Sequence, residues 1–317
     1  MTLIEISKGL LRSSMDLQPG EKLLVITDPA RRAIGDALFA AGQELGADAV
    51  LVVMTAREVS GQEPPDHVAA AMMAADVIVA PTTQSLTHTQ ARRRAAERGA
   101  RIATMPGITE EMFREGAITA DYSAVAELTE RVTAILDGGS EVRIETGGGK
   151  HVLRMSIAGR KAISSTGVYR KPGQSGNLPS GESYLAPVEG TAEGELLVTG
   201  SIAGIGRLEE PVLLTIAGGR LQDAEGPVGA RFLAMLDKSP LGRNVAELGI
   251  GTNDKARVTG NILEDEKIYG TVHVAFGSND TFGGTVKAGI HLDAVVLGAD
   301  VYIDDYLLVS EGRVRVS

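Results

Sequence analysis

The segment L-L-V-I-T-D-P (Leu23–Pro29) is a short apolar run that ends in residues typical of a turn. A helical stretch, R-A-I-G-D-A-L-F-A-A-G-Q-E-L, follows it, and a second apolar run, A-V-L-V-V-M (Ala49–Met54), comes next. Two more runs of this type, Val77–Pro81 and Arg101–Pro106, are separated by helical residues, and a last helix is predicted over Tyr122–Leu136. Continuous apolar strands that alternate with helices predict a parallel sheet covered on both faces.

The pattern changes after the flexible stretch D-G-G-S (Asp137–Ser140). Short strands bounded by Gly and Asp follow, such as E-V-R-I-E-T, H-V-L-R-M-S-I and P-V-L-L-T-I-A-G-G-R-L, with one helix at Val228–Leu236. We therefore predict two domains. Residues 1–137 form a Rossmann-like α/β domain with a parallel sheet, and residues 138–317 form a β-rich, α+β domain that is mostly antiparallel.

The composition restricts the partners and the location of this protein. The 317 residues carry a formal net charge of −10, which argues against a nucleic-acid partner. No apolar run approaches the ~20 residues that cross a bilayer, so we expect no membrane partner. The first residues, M-T-L-I-E-I-S-K-G-L-L-R, lack the apolar centre of a signal peptide. The expected location is cytoplasmic.

The residue types also limit the chemistry of a functional site. The chain contains no cysteine, so a metal ion must be held by His, Asp and Glu. A G-x-G-x-x-G motif does not follow the first strand, and there is no phosphate-binding loop of the G-x-x-x-x-G-K-[ST] type. A nucleotide-binding function is therefore disfavoured despite the α/β pattern.

Two of the five histidines stand close together near the C-terminus, in G-T-V-H-V-A-F-G (Gly270–Gly277) and G-I-H-L-D (Gly289–Asp293). Residues i and i+2 of a strand share a face, so His291 and Asp293 project together. An imidazole beside a carboxylate on a rigid strand is half of a site for a divalent transition metal. An isolated H-x-D is more often a hydrogen-bonded surface pair, but the surrounding sequence favours the metal.

Acidic residues flanked by glycine precede these histidines. The motifs are N-L-P-S-G-E (Asn177–Glu182), N-V-A-E-L-G-I-G-T-N (Asn244–Asn253) and E-D-E-K-I-Y-G-T-V-H-V-A-F-G (Glu264–Gly277). Together with H-L-D, and in this order, they resemble the motifs of the aminopeptidase T / aminopeptidase S family of metallo-aminopeptidases. The resemblance implies an N-terminal α/β domain followed by a C-terminal metal-binding catalytic domain. It also implies two divalent ions, held by Glu182, Glu247, His273, His291 and Asp293.

The activity that the resemblance implies is hydrolysis. A pair of Zn, Co or Mn ions would activate a water that releases the N-terminal residue of a small peptide. Glu266 or Glu264 is the candidate general base by position, and the alternative role of either is a surface charge beside Lys267. Tyr269 is a candidate donor to the reaction intermediate, with packing as its alternative role. A homodimer is expected from the resemblance alone.

The alternative is a shorter relative with the same fold, the iron-dependent 2,5-dihydroxypyridine 5,6-dioxygenase. That relative opens a pyridine ring at one Fe(II) held by His, His and Asp, the ligand set of many non-haem iron oxygenases. The chain resembles it in length. It also keeps Glu182 and Glu247, which a single-metal site does not need, and for this reason the sequence favours the metallo-aminopeptidase.

Overall fold

The structure, a computed structural model, describes residues 1–316. Its α-helices, in chain order, are α1 Leu3–Ser13, α2 Arg32–Glu44, α3 Asp66–Met72, α4 Gln90–Glu97, α5 Glu110–Arg114, α6 Tyr122–Gly138, α7 Gly226–Leu236 and α8 Ile262–Asp265. Short 3-10 helices occupy Pro29–Arg31 and Gly116–Thr119. None of the helices in residues 1–316 combines the length and the apolar character that a membrane span requires.

The strands are short, and most have two to six residues. In chain order they are β1 Lys22–Thr27, β2 Asp48–Val53, β3 Val77–Thr82, β4 Arg101–Pro106, β5 Glu141–Thr146, β6 His151–Ser156, β7 Ile163–Ser165, β8 Ser175–Asn177, β9 Glu182–Leu185, β10 Glu193–Val198, β11 Ser201–Ile202, β12 Gly206–Arg207, β13 Val212–Ala217, β14 Arg220–Ala224, β15 Val245–Gly251, β16 Val272–Gly277, β17 His291–Val296, β18 Asp300–Ile303, β19 Tyr306–Ser310 and β20 Arg313–Val314.

The first compact unit contains Met1–Ser123 and the separate segment Gly167–Ser180. Its five-stranded sheet has the order β2-β1-β3-β4-β8, and every pairing in it is parallel. All six residues of β3 are buried, as expected for a central strand covered on both faces. This confirms the predicted α/β architecture with a parallel sheet.

The second compact unit contains Ala124–Thr166 and the chain from Gly181 onward. It has two antiparallel sheets, of eight strands (β14-β13-β10-β6-β5-β18-β19-β20) and of seven (β12-β11-β17-β16-β15-β9-β7). Apolar side chains from both sheets form one core; members from the shorter sheet include Leu185, Leu248, Val272, Val274 and Phe276. The antiparallel fold class is confirmed, with two sheets packed on one core rather than one large sheet.

The compact units divide the chain at a different point from the predicted domains. Helix α6 lies mostly in the second unit, because Val132 and Leu136 on its buried face belong to that unit's core. The segment Gly167–Ser180 returns to the first unit, where β8 pairs with β4. The division into residues 1–137 and 138–317 as separate functional domains therefore stays a prediction.

Candidate metal centre

Four neighbouring strands, β17-β16-β15-β9, carry the predicted ligands on one face of the seven-stranded sheet. Ala275 of β16 pairs with Glu247 on one side and with Asp293 on the other, so these two carboxylates lie in one cross-strand row. His273 shares the face of Ala275, since alternate residues of a strand point the same way. The residues between them, Val272, Val274 and Phe276, point into the core.

The two imidazoles converge on Glu247. His273 Nε2 lies 3.3 Å from Glu247 Oε1, and His291 Nε2 lies 3.4 Å from Glu247 Oε2 and 3.5 Å from Asp293 Oδ1. These separations are long for N–H···O hydrogen bonds. The 3.5 Å between His291 Nε2 and Asp293 Oδ1 fits two ligand atoms that share one ion, because atoms each about 2.1 Å from a metal stand about 3 to 3.5 Å apart.

The two imidazoles are oriented in different ways. His291 Nδ1 lies 2.8 Å from the carbonyl oxygen of Ser278, and donation to that oxygen leaves the Nε2 lone pair directed at the carboxylates. Within residues 1–316, His273 Nδ1 has no hydrogen-bond partner. The position of this ring depends instead on Gly249, where a Cβ would lie 2.1 Å from His273 Nε2. Glycine at position 249 is therefore required for the imidazole to occupy this place.

A buried ammonium group lies in the same cluster. The Lys267 side chain is fully buried, its Nζ is 2.6 Å from Glu182 Oε1, and it also forms an ion pair with Glu266. Glu182 Oε2 is 3.5 Å from His273 Nε2 and is buried without a hydrogen-bond partner among the described residues. Two overlapping groups have the spacing of a metal site: Glu182, Glu266 and His273, and Glu247, His273 and Asp293.

The charges of the cluster shift the pKa values of its members. Burial raises the pKa of Glu247 and of Asp293, but the neighbouring imidazoles outweigh burial and hold both below their usual values. Burial lowers the pKa of His273, yet the contact with Glu247 and the charge of Glu182 raise it to about 9. Burial is the largest cause that raises the pKa of Glu266, to about 8. A divalent cation would displace the protons that these shifts favour on the imidazoles, since a metal binds the deprotonated form of a ligand.

The remaining predicted site residues lie elsewhere. The Tyr269 hydroxyl accepts a hydrogen bond from the Val314 backbone N–H at 3.2 Å, and its ring packs against the core. Glu264 accepts from the backbone N–H of Arg257 at 3.0 Å. Asp265 binds backbone N–H groups of the loop before α8. These side chains thus stabilise local structure.

Two aromatic residues, Tyr184 and Phe282, lie beside the cluster. Tyr184 of β9 pairs with Gly249, which pairs in turn with His273, so Tyr184 and His273 lie in one row. The Phe282 ring is 5.7 Å from the ring of Tyr184 and 5.7 Å from that of His291, with edge-to-face geometry in both cases. Because alternate residues of a strand share a face, the sequence Glu182-Ser183-Tyr184 places Tyr184 on the same face as Glu182. Phe282 lies in a loop, where no periodic pattern predicts the position of a side chain.

Comparisons with known proteins select between the two predicted families. The model of the family NicX, described as 2,5-dihydroxypyridine 5,6-dioxygenase, matches residues 2–316. A 2,5-dihydroxypyridine 5,6-dioxygenase of Pseudomonas putida is 25% identical over 262 residues, which cover 77% of this chain and 72% of that protein.

Two solved structures share the fold. The 2,5-dihydroxypyridine dioxygenase of Pseudomonas putida has a TM-score of 0.84 at 21% identity, covering 99% of this chain and 97% of that one. AmpT from Thermus thermophilus has a TM-score of 0.73 at 17% identity, covering 99% of both chains. At these identities the two structures support the fold alone.

These findings correct the prediction made from the motifs. The hydrolase activity that the resemblance implied was wrong. The findings support the shared fold but not the assignment to the aminopeptidase T / aminopeptidase S family. The physical reason is that the motifs specify turns and strand positions of a fold that both kinds of protein share, and the fold does not determine the reaction. The match across residues 2–316 shows that the chain belongs to the NicX family, described as 2,5-dihydroxypyridine 5,6-dioxygenase.

Proposed function

We propose that this protein is a ring-cleaving dioxygenase that uses one Fe(II) ion and O2 to open a dihydroxypyridine-like ring. The observation that carries the proposal is the set of two imidazoles and one carboxylate, His273, His291 and Asp293, on one sheet face of a chain in this family. Such a set leaves coordination positions open for a substrate and for O2. Membership of the family supplies the reaction class, and the ligand set supplies the metal chemistry.

A single ion is favoured by the charge that Lys267 brings into the cluster. Its ammonium binds Glu182 and Glu266, the two carboxylates that a second metal would need. Placing a divalent ion within a few ångströms of a buried ammonium costs electrostatic energy in a low-dielectric interior. We therefore assign Glu182 and Glu266 to the lysine, and His273, His291 and Asp293 to the iron.

The protein groups have distinct roles in this proposal. The ion, when bound, supplies a Lewis acid and a redox centre at which the dihydroxy ring and O2 react. Glu247, which stays ionised because its pKa is lowered, is placed to accept a proton from a substrate hydroxyl. The His291 side chain is 30% exposed, whereas those of Glu247 and Asp293 are 9% exposed, so the substrate approaches from the side of His291.

The reaction is tested with protein loaded anaerobically with Fe(II) and mixed with 2,5-dihydroxypyridine before O2 is admitted. One O2 consumed for each ring lost from the ultraviolet spectrum supports the proposal. H291A should abolish this uptake, and H67A, which changes an exposed histidine of α3, should not. Iron-loaded protein that neither consumes O2 nor alters the substrate would contradict the proposal.

The number of ions and the oligomeric state are tested separately. Elemental analysis after reconstitution should give one iron per chain, and two ions per chain would restore the two-metal prediction. A homodimer remains a proposal that resemblance alone supports. Light scattering that gives the mass of one chain at micromolar concentration would refute the homodimer.

A further inference from the structure

The loop of residues 278–290, which joins β16 to β17, is tied down at several points by Glu189. One carboxylate oxygen of Glu189 accepts from the Thr285 backbone N–H at 2.8 Å and from Asn279 Nδ2 at 3.1 Å. The other oxygen pairs with Arg160, which also donates to the carbonyl of Gly283. A loop anchored by charge-assisted bonds in this way has a defined shape.

Packing inside the loop fixes it further. Asn279 is fully buried, and its side-chain oxygen accepts from the backbone N–H of Val286 at 2.8 Å. A Cβ at Gly284 would lie 2.0 Å from the Asn279 side chain, so only glycine fits there. The tip of the loop, which carries Phe282, is therefore held in place by contacts of the residues before it and after it.

Phe282 stands at the exposed side of the candidate metal centre. Its ring meets the rings of His291 and Tyr184 edge to face. His291 is also more exposed than Glu247, Asp293 and the fully buried His273. The route to the ion that passes beside His291 therefore runs along an aromatic surface.

We propose that Phe282, together with Tyr184, forms the wall against which the aromatic ring of the substrate packs, and that Phe282 selects aromatic over aliphatic ligands of the ion. This inference rests on the proposed dioxygenase function. A ring that binds the ion through its hydroxyl or nitrogen atoms is a flat body whose face or edge must be covered, and aromatic side chains prefer such contacts. A small aliphatic chelator has no ring face and gains nothing from this wall.

The test compares F282L with wild type in anaerobic, Fe(II)-loaded protein. Leucine keeps an apolar side chain and removes the ring. Calorimetric titration with 2,5-dihydroxypyridine should show affinity lowered about tenfold, the size of one aromatic contact. Affinity for oxalate, a non-aromatic chelator, should be unchanged, and F282Y should restore affinity for the ring.

The control is F232L, which makes the same change at a buried phenylalanine on the core side of the sheet and should leave both affinities as in wild type. Unchanged ring affinity in F282L at full iron occupancy overturns the inference. An equal loss for ring and oxalate also overturns it, because Phe282 would then only support His291. A wild-type protein that binds iron and oxalate but no dihydroxypyridine shows that the proposed function itself has failed.

Discussion

Lys267 Nζ lies 2.6 Å from Glu182 Oε1, and neither side chain is more than 7% exposed. A lysine without solvent contact in the middle of a candidate metal centre requires compensation for the loss of hydration. Glu182 and Glu266 provide it, and although burial alone would lower the pKa of Lys267, these two carboxylates raise it above the ordinary value. The ammonium thus remains charged and balances the negative charge of the carboxylates in the site.

K267M should strongly destabilise the protein. The substitution leaves two carboxylates in the interior without their cation, and breaking a buried ion pair costs about 3 to 5 kcal/mol. Urea unfolding in the presence of chelator measures the loss. Because the vacated space is lined by Glu182, Glu266 and His273, added Mn(II) should recover part of the stability and raise the metal content above one ion per chain.

The matched control is K161M. Lys161 pairs with Asp137 at 3.5 Å with a side chain that is 78% exposed, and an exposed pair contributes at most about 1 kcal/mol. Equal unfolding midpoints for K267M and K161M would show that the buried pair contributes nothing beyond a surface contact.

G249A should reduce the affinity for iron at least tenfold with a smaller effect on folding. The new Cβ would stand 2.1 Å from His273 Nε2 and push the imidazole out of its place. Competition with a coloured chelator measures the affinity. G9A is the control, since nothing lies within 4 Å of a Cβ at Gly9 in α1. An imidazole displaced without any loss of iron affinity would mean that His273 is not a ligand.

E189Q should make the stability less dependent on acidic pH. Partial burial raises the pKa of Glu189, but backbone N–H groups, Asn279 and Arg160 outweigh it and lower the pKa to about 2. The folded pKa is below the unfolded value of about 4.5. The stabilisation by Glu189 is therefore complete above about pH 4.5 and is lost as the pH falls towards 2.

Urea unfolding series at several pH values test this expectation. E189Q should be less stable than wild type at pH 7, and the difference should shrink between pH 4.5 and 2. E110Q serves as control, because Glu110 pairs with Arg114 at 3.5 Å on an exposed helix surface. A gap between wild type and E189Q that is constant across this range would refute the assignment.

F276A should lower stability without removing the metal. Phe276 is fully buried and packs edge to face on Phe232 at 5.7 Å, on the core side of the strand that carries His273. Truncation of a buried phenylalanine costs about 3 to 5 kcal/mol. Iron bound per folded chain should stay within about twofold of wild type. A large drop in iron content would mean that the core and ligand faces of β16 are coupled.

The features that could be predicted from sequence depend on local periodicity. Continuous apolar runs such as Val77–Pro81 predicted the parallel sheet. The i, i+2 spacing predicted that His291 and Asp293 lie on the same face of a strand. Strand β8 could not be found, because Ser-Gly-Asn has no apolar pattern.

The features that were missed depend on contacts between distant residues. Lys267 follows an acidic residue in an ordinary surface-like sequence, and only its contact with Glu182, far away in the chain, makes it a buried cation. The position of Phe282 depends on Glu189, which is equally remote. The four motifs, in their order along the chain, predicted the fold correctly. The reaction was predicted wrongly because two families with different chemistry use that fold.

The return of Gly167–Ser180 to the first unit has a consequence for biosynthesis. Strand β8 closes the five-stranded sheet only after β5, β6 and β7 of the second unit have been translated. Until residue 180 leaves the ribosome, the outer edge of β4 has no strand partner and can pair with another chain. A fragment cut after Asp137 would keep that open edge permanently, and we expect it to aggregate where the full-length protein does not.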